Sequence, residues 1–163
     1  MKKYFLITFA VFLLDRLLKI LSVNLADKIF LIPGFAAFDR HINYGIIFSL
    51  DFPLWPIKIA SVIFMAAILV LIIRSFLLYF SSPSKGSPQM RGKEAWSGFG
   101  WLLVLFGALS NFLDRIIYNG TVDYVNILDI SLVNLADGMI LLGIIIIAVK
   151  WKSENKKLDG YKP

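Results

Sequence analysis

Several polar and ionisable residues lie within or beside stretches that otherwise consist of Leu, Ile, Val, Phe and Ala. They are three aspartates, two asparagines and one arginine: Asn111, Asp114, Arg115, Asp123, Asn134 and Asp137. Ionisable groups next to hydrocarbon cost several kcal/mol unless they have partners, so such a group of residues marks a candidate working site.

The chemistry open to this site is narrowed by what the chain lacks. The sequence has no cysteine and a single histidine, His41. Thiolate catalysis and Cys-based metal sites are therefore excluded, and a zinc site or a Ser-His pair is poorly supported. Paired-acid chemistry remains, since two close carboxylates cannot both ionise cheaply. The charged one can deprotonate a water while the protonated one polarises a carbonyl, as in peptide hydrolysis.

The spacing of the acids points to one member of such a pair. Asp137 follows Asn134 by three residues, so on a helix the amide can orient the acid. Asp114 shares a helix face with Asn111 and precedes Arg115, which favours an ionised, orienting acid. Asp123 lies between them in sequence, where a loop can fold it over Asp137. The residues alone favour Asp137 and leave Asp114 and Asp123 open as its partner.

The composition indicates a membrane protein. The chain has 163 residues, of which 58% are hydrophobic, and a formal net charge of +6. A soluble domain of this size is less apolar. The basic residues form no nucleic-acid footprint, so no nucleic-acid partner is expected.

The hydrophobic pattern predicts a mainly α membrane protein: one integral domain over residues 1–163, with four transmembrane helices and a small β-rich extracytoplasmic layer after the first. The predicted spans are about 4–23, 57–80, 95–113 and 132–149. Between and after them lie the layer at 24–55, a cytoplasmic linker at 81–94, an extracytoplasmic loop at 116–131 and a basic cytoplasmic tail at 150–163. A cleaved signal peptide at the start is disfavoured, because Asp15, Arg16 and Lys19 interrupt the first apolar run.

The distribution of basic residues predicts the orientation. Four spans put both termini on one side with the 81–94 linker, and that side carries most of the Lys and Arg. The positive-inside rule makes this side cytoplasmic. The candidate residues then converge on the outer surface. Asp15 and Lys19 join them there, four residues apart on one face of the first helix, as an internal ion pair or as a group that holds a substrate.

Five blocks of the chain resemble the bacterial lipoprotein signal peptidase (type II signal peptidase) family. They are Asp15-Arg16-Leu17-Leu18-Lys19, Asn43-Tyr44-Gly45, the segment from Gly107 to Arg115, Val122-Asp123-Tyr124 and Asn134-Leu135-Ala136-Asp137. The resemblance covers nearly the whole chain, with the blocks in order. One departure is Ser110, where the family more often has glycine.

The resemblance implies an aspartic membrane protease that removes the signal peptide of prolipoproteins before a lipid-modified cysteine. It implies Asp123 and Asp137 as the catalytic dyad. The positions that support the dyad or contact substrate would be Asp15, Lys19, Asn43, Gly107, Asn111, Asp114, Arg115, Asn134 and Ala136. Expected partners are lipidated prolipoproteins, membrane lipid and cyclic-peptide inhibitors of the globomycin type. No metal or cofactor is expected, and the expected location is the bacterial cytoplasmic membrane with the site toward its outer face.

Two other classes of protein are weighed against this one. A small proton- or ion-coupled carrier could use Asp15, Lys19, Asp114 and Asp137 as a relay, but all these groups collect toward one surface. A catalytically inactive lipoprotein binder would lack one of the dyad positions, and both are present.

Overall fold

A computed structural model of the protein describes residues 2–44, 53–81 and 88–159. These residues are mostly helical, with a small antiparallel sheet. In chain order the elements are α1 (Lys2–Val23), β1 (Ile29–Ile32), β2 (Ala36–Asn43), α2 (Leu54–Ser81), α3 (Pro88–Ile117), β3 (Thr121–Ile127), β4 (Ser131–Val133) and α4 (Leu135–Asp159).

Helix α3 is the central helix, because α1, α2 and α4 all pack against it. Phe12 of α1, Leu103 of α3 and Met139 of α4 form a buried core between three of the helices. Large apolar side chains on the outer faces stay exposed, such as Ile63 at 63% and Leu141 at 62%. Exposed apolar faces of this extent suit helices that are surrounded by lipid.

Two glycines allow α3 and α4 to approach each other closely. A Cβ atom on Gly143 would lie 2.6 Å from the carbonyl oxygen of Gly100, and one on Gly107 would lie 2.6 Å from that of Ala136. No real Cβ contact is this short, so the two backbones touch at both places. Small residues permit such helix contacts in membrane proteins. The Gly107 contact brings the middle of α3 against the first turn of α4.

The sheet has the strand order β1-β2-β3-β4 with antiparallel neighbours. A type II turn joins β1 to β2, with Pro33 and then Gly34 at a φ of 72°, as the Pro-Gly pair predicts. Strand β3 pairs with β2 in a register that places His41 opposite Asp123. The sheet therefore joins the layer after α1 to the segment between α3 and α4.

The segment at 116–131, predicted as a loop, contains strand β3 and the start of β4. Leu132, where the fourth span was predicted to begin, lies in β4, and helix α4 begins at Leu135. Helix α3 already begins at Pro88, inside the stretch predicted as a linker. Parts of the predicted layer, linker and tail, residues 45–52, 82–87 and 160–163, lie outside the described residues.

Within the described ranges, one helical stretch, Gly98–Ile117, is long and apolar enough to cross a membrane, and Trp55–Leu71 is a shorter apolar stretch. Helix α1 carries Asp15, Arg16 and Lys19 in its second half, which lowers its apolar character. The predicted count of four spans stays a prediction.

Candidate active site

The first turn of α4 is closed by a reciprocal pair of hydrogen bonds. The backbone N–H of Asp137 donates to Oδ1 of Asn134 at 2.9 Å, and the backbone N–H of Asn134 donates to Oδ2 of Asp137 at 3.2 Å. This is a capping box, with Asn134 as the N-cap and Asp137 three residues later. The Asp137 carboxylate therefore has a fixed position at the positive end of the α4 dipole.

The preceding N–H groups of α4 also have partners. The N–H of Leu135 donates to the Tyr124 hydroxyl at 3.0 Å, and that hydroxyl donates to Oδ1 of Asp15 at 2.9 Å. The N–H of Ala136 donates to the same Asp15 oxygen at 3.1 Å. Helix N-termini leave such donors without partners inside the helix. Here α1 and β3 supply the acceptors, so they fix the position of the α4 N-terminus.

Asp123 approaches this turn from strand β3. Its Oδ1 accepts a hydrogen bond of 2.6 Å from Nδ2 of Asn134, and its Oδ2 lies 3.5 Å from Nδ2 of Asn43. Successive side chains of a strand point to opposite faces, so Asp123 faces Asn134 while its neighbour Tyr124 reaches Asp15. The sequence predicted that Asp123 lies in a loop, but a strand holds it more firmly.

One amide thus binds both acids: Asn134 donates to Asp123 and accepts from the backbone of Asp137. Burial, and secondarily the nearby Asp137 carboxylate, raise the pKa of Asp123 to about 6 from 3.8. Asp123 is 4% exposed, whereas Asp137 is half-buried. Asp123 therefore keeps its proton to a higher pH than an ordinary aspartate does.

A buried ion cluster lies behind the pair. Nζ of Lys19 contacts Oδ2 of Asp15 at 3.2 Å and Oδ2 of Asp114 at 2.7 Å, and all three side chains are fully buried. The backbone N–H of Val122 donates to Asp114 at 3.1 Å, which ties β3 to α3. The pairing of Asp15 with Lys19 inferred from their spacing is present, and a third charged residue joins it.

Arg16, rather than Arg115, is the arginine that pairs with Asp114. Nη1 of Arg16 lies 2.5 Å from Oδ1 of Asp114 and 3.2 Å from the carbonyl oxygen of Ser110. The direct ion pair of Asp114 is thus with Arg16 of another helix, and not with its sequence neighbour Arg115. Arg115 is half-buried and makes no ion pair within the described residues, yet it interacts electrostatically with Asp114, Asp123 and Asp137.

The remaining predicted residues lie at the same place. Nδ2 of Asn111 donates to Oδ1 of Asp137 at 2.9 Å. Gly107 touches the backbone of Ala136, and Asn43 stands at the end of β2 beside Asp123. The structure therefore brings all the predicted site residues to one region, around the first turn of α4.

Three residues of this region were not among the predicted site residues: Arg16, Ser110 and Tyr124. The Ser110 hydroxyl donates to Oδ2 of Asp15 at 2.5 Å. Burial, followed by the charge on Asp15, raises the pKa of Tyr124, so its hydroxyl stays a donor. Tyr124 directly follows Asp123, and a strand prediction for this segment would have placed it on the opposite face from Asp123.

The model of the signal peptidase (SPase) II family matches residues 7–152 of the chain. The chain belongs to the signal peptidase II family. This is a protease family, and the alternatives of an ion-coupled carrier and an inactive binder are set aside on that ground. The match includes every residue of the site described above.

Individual relatives support membership of the signal peptidase II family. The lipoprotein signal peptidase of Listeria monocytogenes serotype 4a (strain HCC23) is 28% identical over 98% of this chain and 99% of its own length. That of Bacillus pumilus (strain SAFR-032) is 26% identical over 94% and 95%. A bacterial membrane enzyme solved by the in meso method at 2.3 Å resolution has the same fold, with a TM-score of 0.73 at 21% identity, covering 99% of this chain and 93% of that one.

Proposed function

We propose that the protein is an aspartic endopeptidase of the bacterial cytoplasmic membrane, which removes signal peptides from lipid-modified prolipoproteins by cleaving before the diacylglyceryl-cysteine. Asp123 and Asp137 would activate the attacking water. Membership of the signal peptidase II family and the names of the relatives support the substrate class. The observation that carries the choice of residues is that Asn134 binds both carboxyl groups at the first turn of α4: its side chain donates to Asp123, and its backbone N–H donates to Asp137.

The chemistry follows from the state of the pair. The ionised carboxylate takes a proton from water as the water oxygen attacks the scissile carbonyl, and the protonated carboxyl gives its proton to the carbonyl oxygen. When the C–N bond breaks, the first acid passes its proton to the leaving nitrogen, and the second recovers a proton from the tetrahedral intermediate. One water is consumed and the pair returns to its starting state.

The surrounding structure suits a substrate that stays in the membrane. Exposed apolar side chains on α1, α2 and α4 would face lipid or the acyl chains of the substrate. Arg115 and Asn43 lie beside the acids, where they could hold the peptide backbone. A cyclic-peptide inhibitor of the globomycin type would bind the same groups.

Cleavage of a synthetic lipidated signal peptide by the purified protein tests the activity. Asp123→Asn and Asp137→Asn should each lower the rate by at least about a thousandfold, because an amide can neither accept nor supply the proton. Asp129→Asn is the matched control, an equally small change at an exposed acid outside the site. Near-normal cleavage by either dyad variant would contradict the assignment.

The proposed topology has four spans, both termini and the 81–94 linker in the cytoplasm, and the sheet outside. The chain has no cysteine, so single cysteines can be placed at Lys28 and Lys152 without other changes. A membrane-impermeant maleimide added to intact spheroplasts should label position 28 and spare position 152. Labelling of position 152 alone would reverse the orientation.

A further inference from the structure

A line of three side chains connects the buried ion cluster to one of the two acids. Nζ of Lys19 donates to Oδ1 of Asn111 at 2.8 Å, and Nδ2 of Asn111 donates to Oδ1 of Asp137 at 2.9 Å. An ammonium group has donors and no acceptor. Lys19 therefore forces the oxygen of the Asn111 amide toward itself and its NH₂ group toward Asp137.

We propose that Lys19 is a positioning residue which, through Asn111, makes Asp137 the base of the pair and leaves the shared proton on Asp123. This inference rests on the proposed function, since it assigns the acid and the base within that reaction.

Both oxygens of Asp137 accept hydrogen bonds whose direction is fixed. Oδ1 accepts from Asn111, and Oδ2 accepts from the backbone N–H of Asn134. A proton on either oxygen would have to compete with one of these donors, and hydrogen bonds to the charged form favour that form. Both oxygens of Asp137 are therefore oriented as hydrogen-bond acceptors before any substrate arrives.

Asp123 has a different set of partners. Its Oδ1 accepts the short bond from Asn134, while the partner of its Oδ2, Asn43, lies at 3.5 Å. Among the carboxyl oxygens of Asp123 and Asp137, Oδ2 of Asp123 accepts the longest hydrogen bond. Placing a proton on this oxygen therefore costs the least free energy. The raised pKa of Asp123 agrees with this assignment.

Lys19 acts on the pair by orienting the Asn111 amide rather than through the net charge of its cluster. The cluster contains two cations, Lys19 and Arg16, and two carboxylates, Asp15 and Asp114, so its formal charge is zero. Ser110 adds a donor to Asp15 and an acceptor for Arg16. The Lys19 charge is the smallest of the influences on the pKa of Asp123, and the orientation of the Asn111 amide is the direct link from Lys19 to Asp137.

Other charged or titratable groups near the pair come from several elements, and a test must separate them. They are Asp15 and Arg16 of α1, His41 of β2 opposite Asp123, Asp114 and Arg115 of α3, and Tyr124 of β3. Histidine titrates closest to neutral pH. His41→Gln is therefore made in parallel, to show which part of a pH profile belongs to that side chain.

Infrared spectroscopy of ¹³C-aspartate-labelled protein locates the proton without any turnover. At about pH 5, most ordinary carboxyl groups are ionised, so a protonated carboxyl band should come from Asp123 and disappear in Asp123→Asn. In the double variant Asp123→Asn with Asn111→Leu, Asp137 has lost a donor and the band should return. A band that persists in Asp123→Asn alone, or fails to return in the double variant, would overturn the inference.

The pH dependence of kcat/KM for the lipidated peptide provides a second readout. In Asn111→Leu the acidic limb should move to higher pH by about one unit, which is a tenfold loss at low pH. Lys19→Gln keeps a donor toward Asn111 and should move the limb less than Lys19→Met. If Lys19→Met does not fold, Asn111→Leu decides. A lower plateau with an unmoved limb in Asn111→Leu would show a merely structural role and refute the inference.

Failure of this inference can be told apart from failure of the proposed function. If the wild-type protein cleaves the peptide and both dyad variants are inactive, the proposed function stands whatever the proton location. If the wild-type protein does not cleave, the proposed function fails, and the infrared measurement still reports which acid carries the proton.

Discussion

Asp123→Asn should make the folded protein more stable at neutral pH while it abolishes activity. The folded-state pKa of Asp123 is about 6, against 3.8 as the ordinary value. Below 3.8 the side chain is protonated in both the folded and the unfolded state, so its ionisation changes nothing. Between 3.8 and 6 the unfolded state releases the proton and the folded state keeps it, so stability falls as the pH rises.

The size of this effect follows from the shift. The difference of roughly 2 pKa units corresponds to about 3 kcal/mol at pH 7, at 1.36 kcal/mol per unit. Asparagine has no charge to bury and keeps an oxygen that accepts from Asn134. The stability difference between Asp123→Asn and wild type should therefore grow by up to about 3 kcal/mol from pH 4 to pH 7, and stay constant above.

Thermal unfolding of the detergent-solubilised protein measures this difference. For a chain of this length, 1 kcal/mol corresponds to about 2–4 °C in Tm, so the variant should gain up to about 6–12 °C over wild type at pH 7 relative to pH 4. Asp129→Asn serves as the control of opposite sign, because its hydrogen bond with Lys28 lowers the pKa of Asp129. A difference for Asp123→Asn that does not change with pH would refute the reasoning.

Four other substitutions, one of them a control, test local features of the site and of the neighbouring turn. Gly107→Ala should cost about 1–3 kcal/mol and most of the activity, since the new Cβ would push against Ala136, whereas Gly138→Ala has open space and should be neutral in both unfolding and cleavage assays. Tyr124→Phe should cost about 1–3 kcal/mol in thermal unfolding, because a buried acceptor and a helix N–H lose their partner. Leu128→Asn should raise the Tm slightly, because Leu128 has a φ of 54° that asparagine tolerates better.

Local spacing predicted the parts of the site that lie within one helix. Asn134 and Asp137 are three residues apart and form the capping box, and Asp15 and Lys19 are four apart and form an ion pair. Such pairs follow from helix geometry alone. The gathering of the polar residues at one place also followed, because the alternating direction of the predicted spans brings distant segments to the same surface.

The features of the site that the sequence did not predict depend on contacts between distant segments of the chain. Strand β3 lacks a clear apolar alternation, because Asp123 and Asn126 interrupt it, and it is stabilised by pairing with β2, about 80 residues earlier. Asp114 was assigned to its sequence neighbour Arg115, whereas the packing of α1 against α3 supplies Arg16 instead. The choice between Asp114 and Asp123 could not be made from spacing, since both lie within reach of Asp137 along the chain.

If Asp137 acts as proposed, the capping box links catalysis to the folding of α4. The carboxylate that would act as base is the same group that starts helix α4, and its orientation exists only while the first turn is wound. A chain whose last helix is still unformed would lack the hydrogen bonds that hold Asp123 and Asp137 at one turn, so it should be inactive. The newly synthesised protease would then stay inactive until α4 folds, without needing a propeptide or an inhibitor.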